Sequence, residues 1–258
     1  MPPSFDVDYV TSCKHRSRLN GNTNQDTCGS WLSQIGERVA IVADGHGEDG
    51  DKVSQAAKDG LMVSFAQARG KYGDNIDEVA KHTVYLVSEH IKCSLPKEVV
   101  RESGSTLVIM IIKGDTATFA YLGDSSYTLY YPEGCICNDV TLHKPYNLIE
   151  YERICNANGY VSDEDKPTAR LCGRLAMSRS LGNTFLNGIS SIPQVDTFNI
   201  RNVNAIVLRT NGTDSVNIHK IMYNMHPSTT AKQAAQQIIN ETDGSDDATV
   251  VVFKRITW

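Results

Sequence analysis

The stretch Arg38–Asp51, RVAIVADGHGEDGD, decides how the rest of the chain is read. Its first half is short, apolar and β-branched, the pattern of a buried strand. Its second half is acidic and glycine-rich and opens with Asp44-Gly45-His46-Gly47. A carboxylate and an imidazole at the end of a strand belong either to a polar turn or to a metal-dependent site, and the fragment alone leaves both open. It is not a calcium loop of the EF-hand type: the sixth position from Asp44 is Asp49 rather than glycine, and the twelfth is Gln55 rather than glutamate.

Downstream the period shifts to that of a helix, with Val53, Ala56, Ala57, Leu61 and Phe65 on one stripe, and IDEVAKHTVYLVSEHIKCSL gives a second amphipathic helix. Three strand signals follow: STLVIMIIK, ended by Gly114-Asp115, then TATFAYLGD, then SSYTLYYP. Their tight spacing predicts an antiparallel meander. NLIEYERICNANG reads as a helix stopped at Asn158-Gly159, and residues 160–187 lack a period. AIVLRTNG is a strand, SVNIHKIMYNM and STTAKQAAQQIINE are helices, the second with Ser228 as its expected N-cap, and ATVVVFKRI is a closing strand. Acidic residues thus stand at strand ends: Asp44, Asp124, Asp214 and the group Asp243, Asp246, Asp247. Clustered carboxylates are what hard divalent cations need.

With 258 residues, the chain is long enough for a sizeable core. A formal net charge of −5 gives no footprint for nucleic acid or an anionic membrane. Seven cysteines with no C-x-x-C read as reduced thiols, expected to be core fillers. Neither an apolar leader nor a run long enough to span a bilayer is visible, so a cytoplasmic or nuclear location is expected.

The ordered set of motifs carries more than any member. Asn24-Gln25-Asp26 precedes DGHG; Ser103-Gly104-Ser105-Thr106 and YLGDSS (Tyr121–Ser126) bracket strands; LHKPYNLIEYERICNANGYV leads to GRLAMSRSLGN (Gly173–Asn183), the most specific piece. IVLRTNGTDSV and GSDDATVVVF follow. In this order they resemble the metal-dependent protein phosphatase 2C family from about Asn20 to Phe253. The resemblance implies an α+β fold, a four-layer α-β-β-α sandwich of two antiparallel sheets flanked by helices, in one domain over residues 1–258 with a flap at about 146–188. It also implies hydrolysis of phosphoserine and phosphothreonine by a water held between two manganese or magnesium ions. By resemblance, Asp44, the Gly45 carbonyl, Asp246, Asn211 and Gln25 occupy metal positions, His46 is the general acid, and Asp26 and Asp214 orient metal-bound waters.

Several positions depart from the family pattern. Gln25 and Asn211 stand where it has Glu and Asp, Leu142 replaces the Asp of D-H-K-P, Asp247 replaces the Asn of the C-terminal D-N, and Gly21 replaces the phosphate-binding Arg. Lys14, Arg16 or Arg18 could approach the phosphate in its place. Of five usual carboxylates only Asp44 and Asp246 keep their charge, −2 against the +4 of two ions. The resulting expectation is a pseudophosphatase with a degraded metal site, binding Mn2+ or Mg2+ weakly or as one ion. It would be monomeric, catalytically inactive or impaired, and serve in binding or regulation with a phosphoprotein or regulatory protein partner, not with nucleic acid or membrane. The alternative is an active enzyme with a remodelled site.

Overall fold

Runs such as LVIMIIK and ATVVVF show no apolar–polar alternation because their strands are covered on both faces. The computed structural model describes residues 4–12, 23–134, 136–137, 140–163 and 166–256. The N-terminal third contains β1 (Phe5–Ser12), β2 (Asp26–Leu32), β3 (Arg38–His46), α1 (Gly50–Tyr72) and α2 (Ile76–Ser94). Next come α3 (Lys97–Glu102), β4 (Gly104–Ser105), β5 (Leu107–Lys113), β6 (Thr116–Leu122), β7 (Ser126–Tyr130) and β8 (Ile136–Cys137). Then follow α4 (Leu148–Asn156), β9 (Val161–Ser162), β10 (Arg170–Leu171), β11 (Leu181–Gly182) and β12 (Gln194–Asn199). The chain continues through β13 (Ala205–Arg209), α5 (Ile218–Tyr223), α6 (Ala231–Asn240) and β14 (Ala248–Arg255).

One sheet runs β1-β14-β13-β7-β8 and the other β11-β4-β3-β5-β6-β12, with β2 also paired to β3. Three apolar clusters define four layers. α1 and α2 pack Val53, Leu61, Phe65, Val84 and Val87 on Val39, Ile41 and Ile109. Between the sheets, Val42, Val108, Met110 and Phe119 meet Tyr127, Leu129, Leu208 and Phe253. On the far side, Ala234, Ala235 and Ile238 of α6 cover Val207, Val250 and Val252. This is the expected α+β, four-layer α-β-β-α sandwich. α4, β9 and β10 gather around their own cluster of Ile154, Val161, Ala169, Leu171 and Leu186.

The predicted meander is corrected. β5 and β6 form the expected hairpin, but β7 pairs with β13 in the other sheet. Gly123, at φ +91°, breaks the run and sends the chain across. Ser228 is not the cap of α6: Thr230 accepts from Gln233 N–H while Gln233 returns the bond, a capping box. Nor are all cysteines core fillers, since Cys28 is buried while Cys93 and Cys155 are exposed. Strands β1, β2 and β12 carry weaker patterns and are found only in the structure.

Candidate active site

The site lies where strand ends from both sheets converge. β3 does not stop at Asp44. Gly45 and His46 continue it by pairing with Ser105 and Gly104 of β4, and Thr106 locks the residue before them. Asp44 N–H donates to Thr106 Oγ1 at 2.9 Å and Thr106 N–H to the Asp44 carbonyl at 2.9 Å. The Ser103–Thr106 segment is therefore a support beneath Asp44. Gly45 is required sterically: a Cβ there would collide with the Gly50 carbonyl.

Asp26 of β2 faces Asp44 directly across the ladder. Its Oδ2 accepts from Thr210 Oγ1 at 2.8 Å, while Oδ1 is buried with no partner. Gln25 uses its side chain as a donor, Nε2 to the Gly47 carbonyl at 2.9 Å. Its backbone N–H donates to Asp247 Oδ2 at 2.9 Å, which brings the Asp246-Asp247 loop against it. Asn211 lies at the end of β13 with Oδ1 buried and unpartnered. The next residue, Gly212, is so close to the Asp247 carbonyl that a Cβ would overlap it.

His46 Nε2 contacts Asn183 Oδ1 at 2.6 Å and Ser180 Oγ at 3.3 Å. An amide oxygen only accepts, so Nε2 carries the proton and Nδ1, buried without a partner, bears the lone pair. Burial lowers the His46 pKa below its ordinary value, partly opposed by the Asn183 bond and by Asp124.

Charge is crowded here. Burial pushes Asp44 well above the usual carboxylate range, and Asp26, Asp124, Asp246 and Asp247 push the same way. Asp26 is raised to about 7, by burial first, opposed by hydrogen bonds from Thr210 and Thr249 and reinforced by Asp247 and Asp246. Asp246 is raised by loss of solvation, and by Asp247, Asp124 and Asp243.

Of the sequence candidates, Gln25, Asp26, Asp44, Gly45, His46, Asn211 and Asp246 are brought to this one end. Asp214 is not turned to it: its carboxylate pairs with Arg209 and is largely exposed. Position 21 and the basic residues 14, 16 and 18 lie outside the described residues. Two groups were not assigned to the site from the sequence. Asp124 was recognised only as a strand-end acid, yet it is 4% exposed and holds Lys144 Nζ at 2.6 Å. Asn183, inside GRLAMSRSLGN, fixes the His46 tautomer. Their signal was membership of a quoted motif, without any indication of which atoms meet.

The buried oxygens of Asp26 and Asn211 and the crowded carboxylates suit a cation. Among the described residues no group of three His, Cys, Asp or Glu side chains is placed to hold a metal ion.

The fold and site belong to one class: the protein phosphatase 2C family profile matches residues 5–242, and the chain belongs to that family. The family is manganese- or magnesium-dependent in general. The chain is 30% identical over 173 residues to Protein phosphatase 1L from Bos taurus, covering 62% of this chain and 46% of that one. It is 26% identical over 263 residues to Probable protein phosphatase 2C 59 from Oryza sativa subsp. japonica, covering 97% of this chain and 76% of the relative. The chain thus spans less than half of the bovine relative's length. Its fold superimposes on the crystal structure of a serine-threonine phosphatase 2C from Toxoplasma gondii with a TM-score of 0.79, at 17% identity, covering 99% of this chain and 98% of that one.

Proposed function

We propose that this domain keeps the phosphatase fold without efficient two-metal hydrolysis, and serves in binding or regulation of a phosphoprotein or regulatory protein partner. The observation that carries this reading is the use of Gln25. A ligand position of the family holds a neutral amide here, and that amide is spent as a donor to the Gly47 carbonyl, a bond a carboxylate cannot make. Asn211 is neutral too, and Leu142 offers no oxygen, so a second divalent ion beside the first lacks compensating charge. Any Mn2+ or Mg2+ is held weakly or singly, at Asp44 and Asp246. The engagement of His46 Nε2 by Asn183 supports the same reading, because a general acid must present that proton to a leaving group.

A second reading, an active metal-dependent serine/threonine phosphatase with a remodelled site, is favoured by the retained Asp44, Gly45, His46 and Asp246. One assay separates the two. A phosphothreonine peptide incubated with millimolar manganese should show no turnover above the Asp44→Ala variant. Robust metal-dependent turnover, lost in that variant, establishes the second reading. Calorimetric titration with manganese should give weak binding of at most one ion. No described helix is long and apolar enough to cross a membrane, and we place the domain's work in the cytoplasm or nucleus.

A further inference from the structure

Two dications would turn a ring of carboxylates into a surface for phosphate. Without them the sign of the mouth is reversed, and the class of partner changes with it. Asp26 and Asp44 face each other on β2 and β3, Asp247 reaches the Gln25 N–H beside them, and Asp246 adjoins it at the exposed rim.

Two further observations point to a cationic ligand. Asp26 and Asp124 are 8% and 4% exposed, yet each keeps one buried oxygen, Oδ1, without a hydrogen-bond partner. Unsatisfied buried acceptors are costly and call for a donor. The structure also shows which kind of donor enters: Lys144 places its ammonium 2.6 Å from Asp124 Oδ2. Just beyond Lys144, Tyr146, Leu148 and Ile149 are 41%, 71% and 77% exposed, an uncovered apolar strip at the start of α4.

We propose that the carboxylate mouth accepts an arginine or lysine side chain from a partner protein, whose adjacent apolar residues cover Tyr146, Leu148 and Ile149. This rests on the impaired-site reading above. N–H donors of such a cation would form charge-assisted hydrogen bonds with the exposed Asp246 and the half-buried Asp44, and its charge would offset the buried, unpartnered oxygens of Asp26 and Asp124 behind them. A phosphopeptide would meet like charge there.

The test uses a fluorescein-labelled 12-residue peptide carrying arginine and leucine, its citrulline counterpart and its phosphothreonine counterpart, read by anisotropy. The arginine peptide should bind about tenfold or more tightly than the citrulline peptide, with affinity falling as salt rises. Asp246→Asn should weaken it about five- to tenfold, Ile149→Ser should weaken it by a smaller factor, and millimolar manganese should compete. Glu89→Gln, which removes the same charge from the α2 surface, should change nothing. Equal binding of arginine and citrulline peptides, or equal losses in Asp246→Asn and Glu89→Gln, overturns the proposal. Metal-dependent hydrolysis of the phosphothreonine peptide would overturn the impaired-site reading instead. No hydrolysis together with no arginine preference would overturn this inference alone.

Discussion

Two carboxylates in this molecule, one on α4 and one at the end of β3, live in opposite surroundings. Glu150, on α4, receives Arg153 Nη2 at 2.9 Å, Ser178 Oγ at 2.6 Å and Arg179 Nε at 3.0 Å. Burial opposes its ionisation, but the bonds from Arg179, Ser178 and Arg153 prevail and hold its pKa at about 2. Asp44, half-buried, stands among carboxylates and is pushed far the other way, by loss of solvation first. The first arrangement ties α4 to the 178–192 segment, since Arg153 also donates to the Gly188 and Ser178 carbonyls and Arg179 to that of Ile192. The second is an arrangement that stability alone would not select. Perturbation of this kind collects where a protein binds or reacts, and satisfied networks collect where it must hold together.

The comparison is broken most readily at Glu150. Glu150→Ala leaves two guanidinium groups facing an empty, poorly solvated space and should cost about 3 kcal/mol in denaturant unfolding, with the 146–188 segment becoming protease-sensitive first. A loss no larger than that of an exposed pair would mean the network is dispensable.

Acid titration sharpens the contrast, because the signs differ. Glu150 has a depressed folded pKa, so its stabilisation is present above about 4.5 and is lost as pH falls toward 2. His143 is 1% exposed, and both ring nitrogens lack a partner. Burial, then repulsion from Arg179, lowers its pKa to about 4, with Glu150 and the Gly123 carbonyl opposing and Arg153 adding to the effect. Its contribution is present above 6.5 and is lost as pH falls to about 4, at up to about 1.4 kcal/mol per pH unit. Asp26 acts oppositely: a raised carboxylate favours the fold in acid, and that stability is lost as pH rises from 3.8 to about 7. Stability curves for His143→Gln and Asp26→Asn, each subtracted from that of the wild type, should therefore slope in opposite directions. Parallel curves would contradict the assignment.

At the site itself, Asp44→Asn should stabilise the metal-free protein by about 1 kcal/mol, since it removes a repelled charge and keeps the shape. A melting temperature below that of the wild type would show that Asp44 is paired rather than crowded. The smallest effect belongs to Gln25→Glu. It exchanges the bond to the Gly47 carbonyl for a sixth acidic group beside Asp26, Asp44, Asp124, Asp246 and Asp247 and should cost about 0.5–1 kcal/mol without metal. In return, manganese affinity by calorimetry should rise.

Much of this is legible in the amino-acid sequence. The strand into Asp44, the helical stripes of α1 and α2, the β5–β6 hairpin and the β14 strand followed from period and turn residues, and the ordered motifs led to the four layers. What failed has a common cause. SSYTLYYP has the local pattern of a third meander strand, and nothing in it says that β7 pairs with β13 rather than β6. Ser228 and Thr230 are both acceptable caps, and the choice fell to Gln233 reaching back. Asp214 resembled a site acid until Arg209, five positions earlier, took its carboxylate.

The amino-acid sequence by itself determined which elements form, and that Asp44, His46 and Asp246 survive where Gln25, Leu142 and Asn211 have lost charge. The first is a property of residue type and short-range spacing; the second is what the resemblance to the family implies. Only the tertiary structure decided how the survivors are used: Gln25 as a brace for Gly47, His46 held in one tautomer by Asn183, and Lys144 set against Asp124. Partners 20 to 140 positions apart meet only when two sheets close on each other, and pairwise chemistry at 2.6–2.9 Å is invisible to any local pattern.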